Sequence, residues 1–178
     1  MLYQTLQTAA FCHLLVKRMH CPGPFLIVVP LSTISHWERE FVGWTGLNTI
    51  VYHGSAEDRN QIRINEFAYT QDRPDAVGAN ALYLNKCTGS KKVSNPWMAT
   101  VVITTPEMLV AEDWAELAAV RWQVLVVDEA HRLKNHNSKL ATTLRKEQFR
   151  FNHKLLLTGT PIQNDVKYVY CLSMRLVK

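Results

Sequence analysis

At 178 residues, with 47% apolar and 20% charged side chains, the chain is long enough for one packed domain and too apolar to remain disordered. No apolar run approaches the ~20 residues that cross a bilayer, so a membrane partner is not expected. Residues 1–16 lack the basic start and small-residue cleavage site of a secretory signal. Four scattered cysteines (Cys12, Cys21, Cys87, Cys171) show no metal-ligand spacing and no disulfide framework, and reduced thiols are expected. The net charge of +5 is compatible with a polyanionic partner and equally with an ordinary basic surface.

In chain order, residues 5–20 carry apolar side chains at helical spacing (Leu6, Ala9, Ala10, Leu14, Leu15). Cys21-Pro22-Gly23-Pro24 breaks that helix. A strand is predicted over 25–29, ending at Pro30. Ser32 or Thr33 is expected to cap a helix running through Trp37 and Phe41. A strand over 49–52 and a helix over 56–69 follow. The stretch 71–98 interrupts the rhythm with Pro74, Gly78, Gly89, Pro96 and Lys91-Lys92. It reads as an irregular insertion on the surface, as a basic finger on nucleic acid, or as an error of the gene model. Beyond it come a strand over 101–104, short helical turns over 106–110 and 114–119, and a strand over 122–127. A helix over 138–147, a strand over 154–157 and a helix over 166–176 complete the pattern. Strands alternating with helices predict an α/β fold, a parallel sheet with helices on both faces in three layers.

Two segments carry the chemistry. Asp128-Glu129-Ala130-His131 follows the aliphatic run Val124-Leu125-Val126-Val127, and Thr158-Gly159-Thr160 follows Leu155-Leu156-Leu157. Short apolar runs ending in polar residues read as buried parallel strands, whose functional groups lie beyond their carboxyl ends. An acidic pair beside a Thr-Gly-Thr turn suits Mg-nucleoside triphosphate chemistry. Asp128 can hold Mg2+ through its water shell, and Glu129 can orient an attacking water. Each residue also has a plain reading: a solvated acidic loop, a packed histidine, threonines capping a turn, and Gln163 an ordinary polar residue.

The ordered motifs resemble the first RecA-like lobe of superfamily two helicases and translocases. Within these they are similar to SWI/SNF-related remodelling ATPases, nearest the chromodomain-helicase-DNA-binding (CHD) remodellers. The residues that carry the resemblance begin with Pro30-Leu31-Ser32-Thr33, Trp37-Glu38-Arg39-Glu40-Phe41, and Tyr52-His53-Gly54-Ser55. They continue with Thr104-Thr105-Pro106-Glu107, Asp128-Glu129-Ala130-His131-Arg132-Leu133-Lys134-Asn135 and Leu157-Thr158-Gly159-Thr160-Pro161-Ile162-Gln163-Asn164. RNA helicases with the same acidic motif usually have Ser-Ala-Thr where this chain has Thr-Gly-Thr. The resemblance implies one helicase ATP-binding domain over 1–178, using ATP and Mg2+, with double-stranded DNA and nucleosomes as partners, in the nucleus. It implies that His131 touches the Thr158–Thr160 turn and relays nucleotide state. Asp128, Glu129 and His131 are thereby catalytic candidates, and Thr158, Thr160 and Gln163 lie on the nucleotide side. Ser32, Thr33, Thr104 and Thr105 are expected to meet phosphates of the nucleic acid.

One end departs from that family. Where remodellers have Gly-Leu-Gly-Lys-Thr, this chain has Met1-Leu2-Tyr3-Gln4-Thr5. A phosphate loop needs small residues and a lysine. Tyr3 adds bulk, Gln4 offers a neutral amide, and only Thr5, the candidate Mg2+ ligand, matches. The strand that precedes this loop in the family is expected in mid-sheet beside the Asp128 strand, and its loss is expected to expose backbone edges. A second RecA-like lobe, the family's source of arginine fingers, is also expected to be missing, so the chain alone is expected to be inactive. A catalytically dead DNA- or chromatin-binding module and an RNA helicase lobe are the alternatives. Arg132, Lys134, Lys139, Arg145 and Lys146 form either a solvated basic face or part of a DNA path. The five tryptophans and the Phe41/Trp44 pair read as core or lobe-packing residues.

Overall fold

Among the described residues five parallel strands form one sheet in the order β2-β3-β1-β4-β5. The computed structural model describes residues 2–67, 99–111, 114–133 and 138–159. The expected insertion at 71–98, the 166–176 helix, Thr160 and Gln163 lie outside them. Helix α1 spans Leu2–Met19, β1 Phe25–Val28, α2 Ile34–Thr45 after a 3-10 turn at Leu31–Thr33, and β2 Thr49–Tyr52. Helix α3 (Ala56–Ile62) runs into a π-helical turn, Arg63–Phe67. Strand β3 is Val101–Thr104, α4 Pro106–Leu109, α5 Trp114–Ala118 and β4 Arg121–Val127. Helix α6 is Lys139–Leu144 and β5 Arg150–Leu156.

The strand residues divide by parity between the two faces. Phe25, Ile27, Val101, Ile103, Val124 and Val126 pack with Ala9 and Cys12 of α1 and Ile34, Trp37 and Phe41 of α2. Leu26, Val28, Val102, Leu125 and Val127 pack with Leu109, Leu117, Leu140 and Leu144 of α4, α5 and α6. Because both faces are covered, β1 and β3 are continuous apolar runs buried along their whole length. Burial pushes the Cys12 thiol up to about 12, so it remains protonated.

Four expectations need correction. Residues 2–4, aligned with a phosphate loop, are the first turn of α1. They include no glycine, and leucine and glutamine favour the helix. Among the described residues β4 is paired on both sides, with β1 and with β5 (Phe25↔Val124, Val124↔His153), and its edges are not exposed. The edge strands of the described sheet are β2 and β5. Strand β5 begins at Arg150 rather than 154, since Arg121 and Trp122 pair with Arg150 and Phe151. Its polar first half is an edge strand exposed to solvent, which hides it from a search for apolar runs. Finally, Thr33 holds the N-cap position of α2 as expected, but its side chain makes no capping bond: the hydroxyl donates to the Pro30 carbonyl at 2.9 Å.

Helix α3 does have a full capping box. The Ser55 hydroxyl accepts from the Asp58 N–H, and the Asp58 carboxylate accepts from the Ser55 N–H at 2.9 Å. The hydrogen bonds from the Ser55 side chain and backbone hold the Asp58 carboxyl below the usual carboxylate range. A depressed folded pKa stabilises the fold above the ordinary aspartate pKa, and that contribution is lost as pH falls through the folded value. Acid titration followed by circular dichroism is therefore expected to show α3 loosening below the ordinary aspartate range. Asp58→Asn should remove that part of the pH dependence; an unchanged acid profile in the variant would count against it.

Candidate nucleotide and nucleic-acid site

The parallel register brings the carboxyl ends of β1, β4 and β5 to one rim. The Asp128 N–H donates to Val28 O at 2.8 Å, Leu157 N–H to Val127 O at 2.8 Å, and Ala130 N–H to Leu157 O at 2.8 Å. These bonds fix the acidic pair beside the segment that leads into Thr158. Asp128 is only 7% exposed. Its Oδ2 accepts from the Trp37 indole N–H at 3.2 Å, and its Oδ1 from the Glu129 N–H at 2.8 Å. A buried carboxylate without such donors is costly; here two of its four acceptor positions are filled.

Glu129 adopts a left-handed backbone, φ 50. For a residue with a Cβ this costs about 1–2 kcal/mol. The turn reverses the chain sharply at the end of β4 and sets the Glu129 carboxylate against His131 Nδ1, at 3.0 Å. His131 is half-exposed and its Nδ1 faces the Glu129 carboxylate; Thr160 of the expected contact lies outside the described residues. The Ala130 N–H, donating to Leu157 O, links this loop to the segment leading into Thr158.

From the other side, the Gln4 side-chain amide donates to Thr158 O at 3.1 Å. Gln4, Thr158 and the Asp128–Glu129 pair are thus brought to one place. Thr5 follows on α1 with its side chain buried, and the Thr8 hydroxyl donates to Gln4 O at 2.8 Å. Among the described residues no group of three or more His, Cys, Asp or Glu could hold a metal. The adjacent carboxylates of Asp128 and Glu129 are donors that suit Mg2+, which keeps several waters and relies on one or two carboxylates plus substrate phosphates. The phosphate side fits less well, because position 4 carries no cation and residues 2–4 are already helical.

The four nucleic-acid candidates divide. Ser32 is exposed and Thr33 half-buried. Thr104 is buried and its hydroxyl donates to Tyr52 O at 2.8 Å. Thr105 is also buried, and its hydroxyl finds no partner among the described residues. Neither of these two hydroxyls reaches solvent. The basic residues do not gather with Ser32. Lys139 and Arg145 are exposed at the ends of α6, on the face opposite α2, and Lys146 Nζ lies 3.4 Å from the Trp114 ring centroid. The Arg132 side chain and Lys134 lie outside the description. Of the tryptophans, Trp37 and Trp122 are core residues, whereas Trp44 is 67% exposed. The residue that sequence reasoning missed is Trp37 as a partner of Asp128. The two are 91 positions apart, and no local pattern signals such a pair.

The family model described as the SNF2-related domain matches residues 2–176. The chain belongs to that family. Chromodomain-helicase-DNA-binding protein 6 of Rattus norvegicus is 45% identical to it over 170 residues. Chromodomain-helicase-DNA-binding protein 8 of Homo sapiens is 40% identical over 169. Each alignment covers 95% of this chain and 6% of the relative, so the SNF2-related domain described here spans about 6% of those proteins' length. Among solved structures, the Sulfolobus solfataricus SWI2/SNF2 ATPase core in complex with dsDNA superimposes with a TM-score of 0.66 at 25% identity. That match covers 97% of this chain and 29% of that one. The SNF2-related domain therefore has the RecA-like α/β fold of a CHD-type ATPase lobe, as its motifs implied. Among the described residues no helix is long and apolar enough to cross a membrane.

Proposed function

We propose that the chain is the ATP-binding lobe of a DNA translocase that remodels chromatin, a single helicase domain over 1–178 with an insertion at 71–98. The supporting observation is the rim where Asp128, Glu129, Thr158 and Gln4 meet. In this reading Mg2+, when bound with ATP, supplies charge neutralisation for phosphoryl transfer. Asp128 holds the metal's water shell with Thr5 as a further Mg2+ ligand, and Glu129 orients the attacking water. His131 holds the Glu129 carboxylate, and Thr158, Thr160 and Gln163 respond to the nucleotide. Ser32 and Thr33 face the DNA backbone, with Thr104 and Thr105 setting the loop behind them. Double-stranded DNA in nucleosomes is the substrate track, the nucleus its place, and a second RecA-like lobe the source of transition-state charge.

Position 4 sets the limit. A neutral amide cannot offset a triphosphate, so the chain alone binds Mg-ATP weakly and does not turn it over. Calorimetric titration with Mg-ATP should show millimolar or weaker binding that Asp128→Asn or EDTA removes. Micromolar binding indifferent to Asp128→Asn would refute the assignment of the metal site. Absent nucleotide binding with firm binding of duplex DNA would favour an ATP-independent DNA- or chromatin-binding module.

A further inference from the structure

We infer that Trp37 is a positioning residue for the Asp128 carboxylate, fixing the geometry with which Asp128 meets a metal. The inference rests on the reading of Asp128 as metal-facing. A carboxylate at a strand end can rotate about two side-chain bonds, and only some orientations direct a lone pair outward. Asp128 has a donor on each oxygen: the Glu129 N–H on Oδ1 and the Trp37 indole on Oδ2. The first comes from the adjacent residue and moves with the turn. The second comes from another element and is itself immobile. Trp37 is 1% exposed, and its ring stacks on Phe41 with centroids 6.2 Å apart. Leaving a buried indole N–H without an acceptor is unfavourable, so the pair selects one carboxylate orientation.

The same residue ties two regions together. Trp37 lies one helical turn beyond Thr33, in the helix that begins two residues after the exposed Ser32. Any rigid displacement of the start of α2 carries the indole N–H with it and alters the support of Asp128.

The test uses the whole chain and Mn2+ alone, read by paramagnetic broadening in 15N–1H spectra. The Trp37 indole signal is identified by its loss in Trp37→Phe, a change that keeps the aromatic ring and removes the donor. In the unaltered chain, Mn2+ should broaden the Glu129 amide and the Trp37 indole before other signals. In Trp37→Phe the Mn2+ needed to broaden the Glu129 amide should rise about tenfold. In Asp128→Asn selective broadening should vanish and the Trp37 indole should shift. Equal Mn2+ requirements in the unaltered chain and Trp37→Phe would overturn the inference while leaving the metal reading intact. No selective broadening in the unaltered chain would overturn the metal reading and the positioning role with it. Should Trp37→Phe not fold, the indole signal is assigned in the unaltered chain by its through-space contact with the Phe41 ring, and a signal unmoved by Asp128→Asn would overturn the inference by itself.

Discussion

Replacing Trp122 by alanine is expected to lower stability by about 3–5 kcal/mol, the usual cost of removing a large aromatic from a packed core. Trp122 is fully buried at the start of β4, against the helices α5 and α6, and its indole N–H donates to Leu117 O at 2.8 Å. The alanine variant loses that packing and the indole hydrogen bond, leaving the Leu117 carbonyl with the Val120 N–H at 3.3 Å. Domains commonly hold only about 5–15 kcal/mol in total, so a large share of the margin disappears. In thermal denaturation the midpoint should fall by about 6–20 °C for a chain of this size. Trp122→Phe, which keeps a ring in place, should fall less. A midpoint within error of the parent chain would show that this face of the sheet does not depend on Trp122.

A larger functional gain is expected from changing Tyr3 to glycine together with Gln4 to lysine. The Gln4 amide already reaches Thr158 O at the rim, so a lysine there starts from a suitable place and can still donate to that carbonyl. Its ammonium adds a charged hydrogen bond to a phosphate, worth about 1.5–3 kcal/mol. That corresponds to roughly ten- to hundredfold tighter Mg-ATP binding. Removing Tyr3, whose ring is exposed, opens space at the cost of about 0.5–1 kcal/mol of helix stability. Calorimetry of the double variant against the parent measures the gain. Unchanged affinity in a folded double variant would mean that position 4 is not what weakens the phosphate site.

The central sheet is legible in the sequence because its strands are buried on both faces. Four of the five described strands, β1, β2, β3 and β4, stand within a residue of where apolar runs place them, since apolar side chains dominate each. Strand β5 is half hidden. Arg150, Asn152, His153 and Lys154 belong to an edge, where polar side chains carry no cost and no periodicity. Apolar spacing starts the first helix at Thr5, and the helix propensity of Leu2 and Gln4 carries it back to Leu2, into the positions aligned with a phosphate loop. Within the site, Asp128, Glu129 and Thr158 follow from strand ends, a property of the local sequence. Their partners do not, because the Trp37–Asp128 and Gln4–Thr158 bonds join residues 91 and 154 positions apart. Such pairs exist only once the sheet order is fixed. The buried state of Thr104 and Thr105 was likewise invisible, since a Thr-Thr-Pro after a strand reads equally as an exposed cap.

The sheet order also divides the site by lifetime. Strand β4 has neighbours on both sides and helices on both faces, so its amide hydrogens are released to solvent only when the domain opens as a whole. Strand β5 has a single neighbour among the described residues and half-exposed side chains, so it can detach at a smaller cost. Asp128 and Glu129 hang from the long-lived strand, and Thr158 from the short-lived one. Brief local opening therefore separates Thr158 from the carboxylates while the carboxylates themselves stay in register. The rim has one fixed jaw and one that breathes.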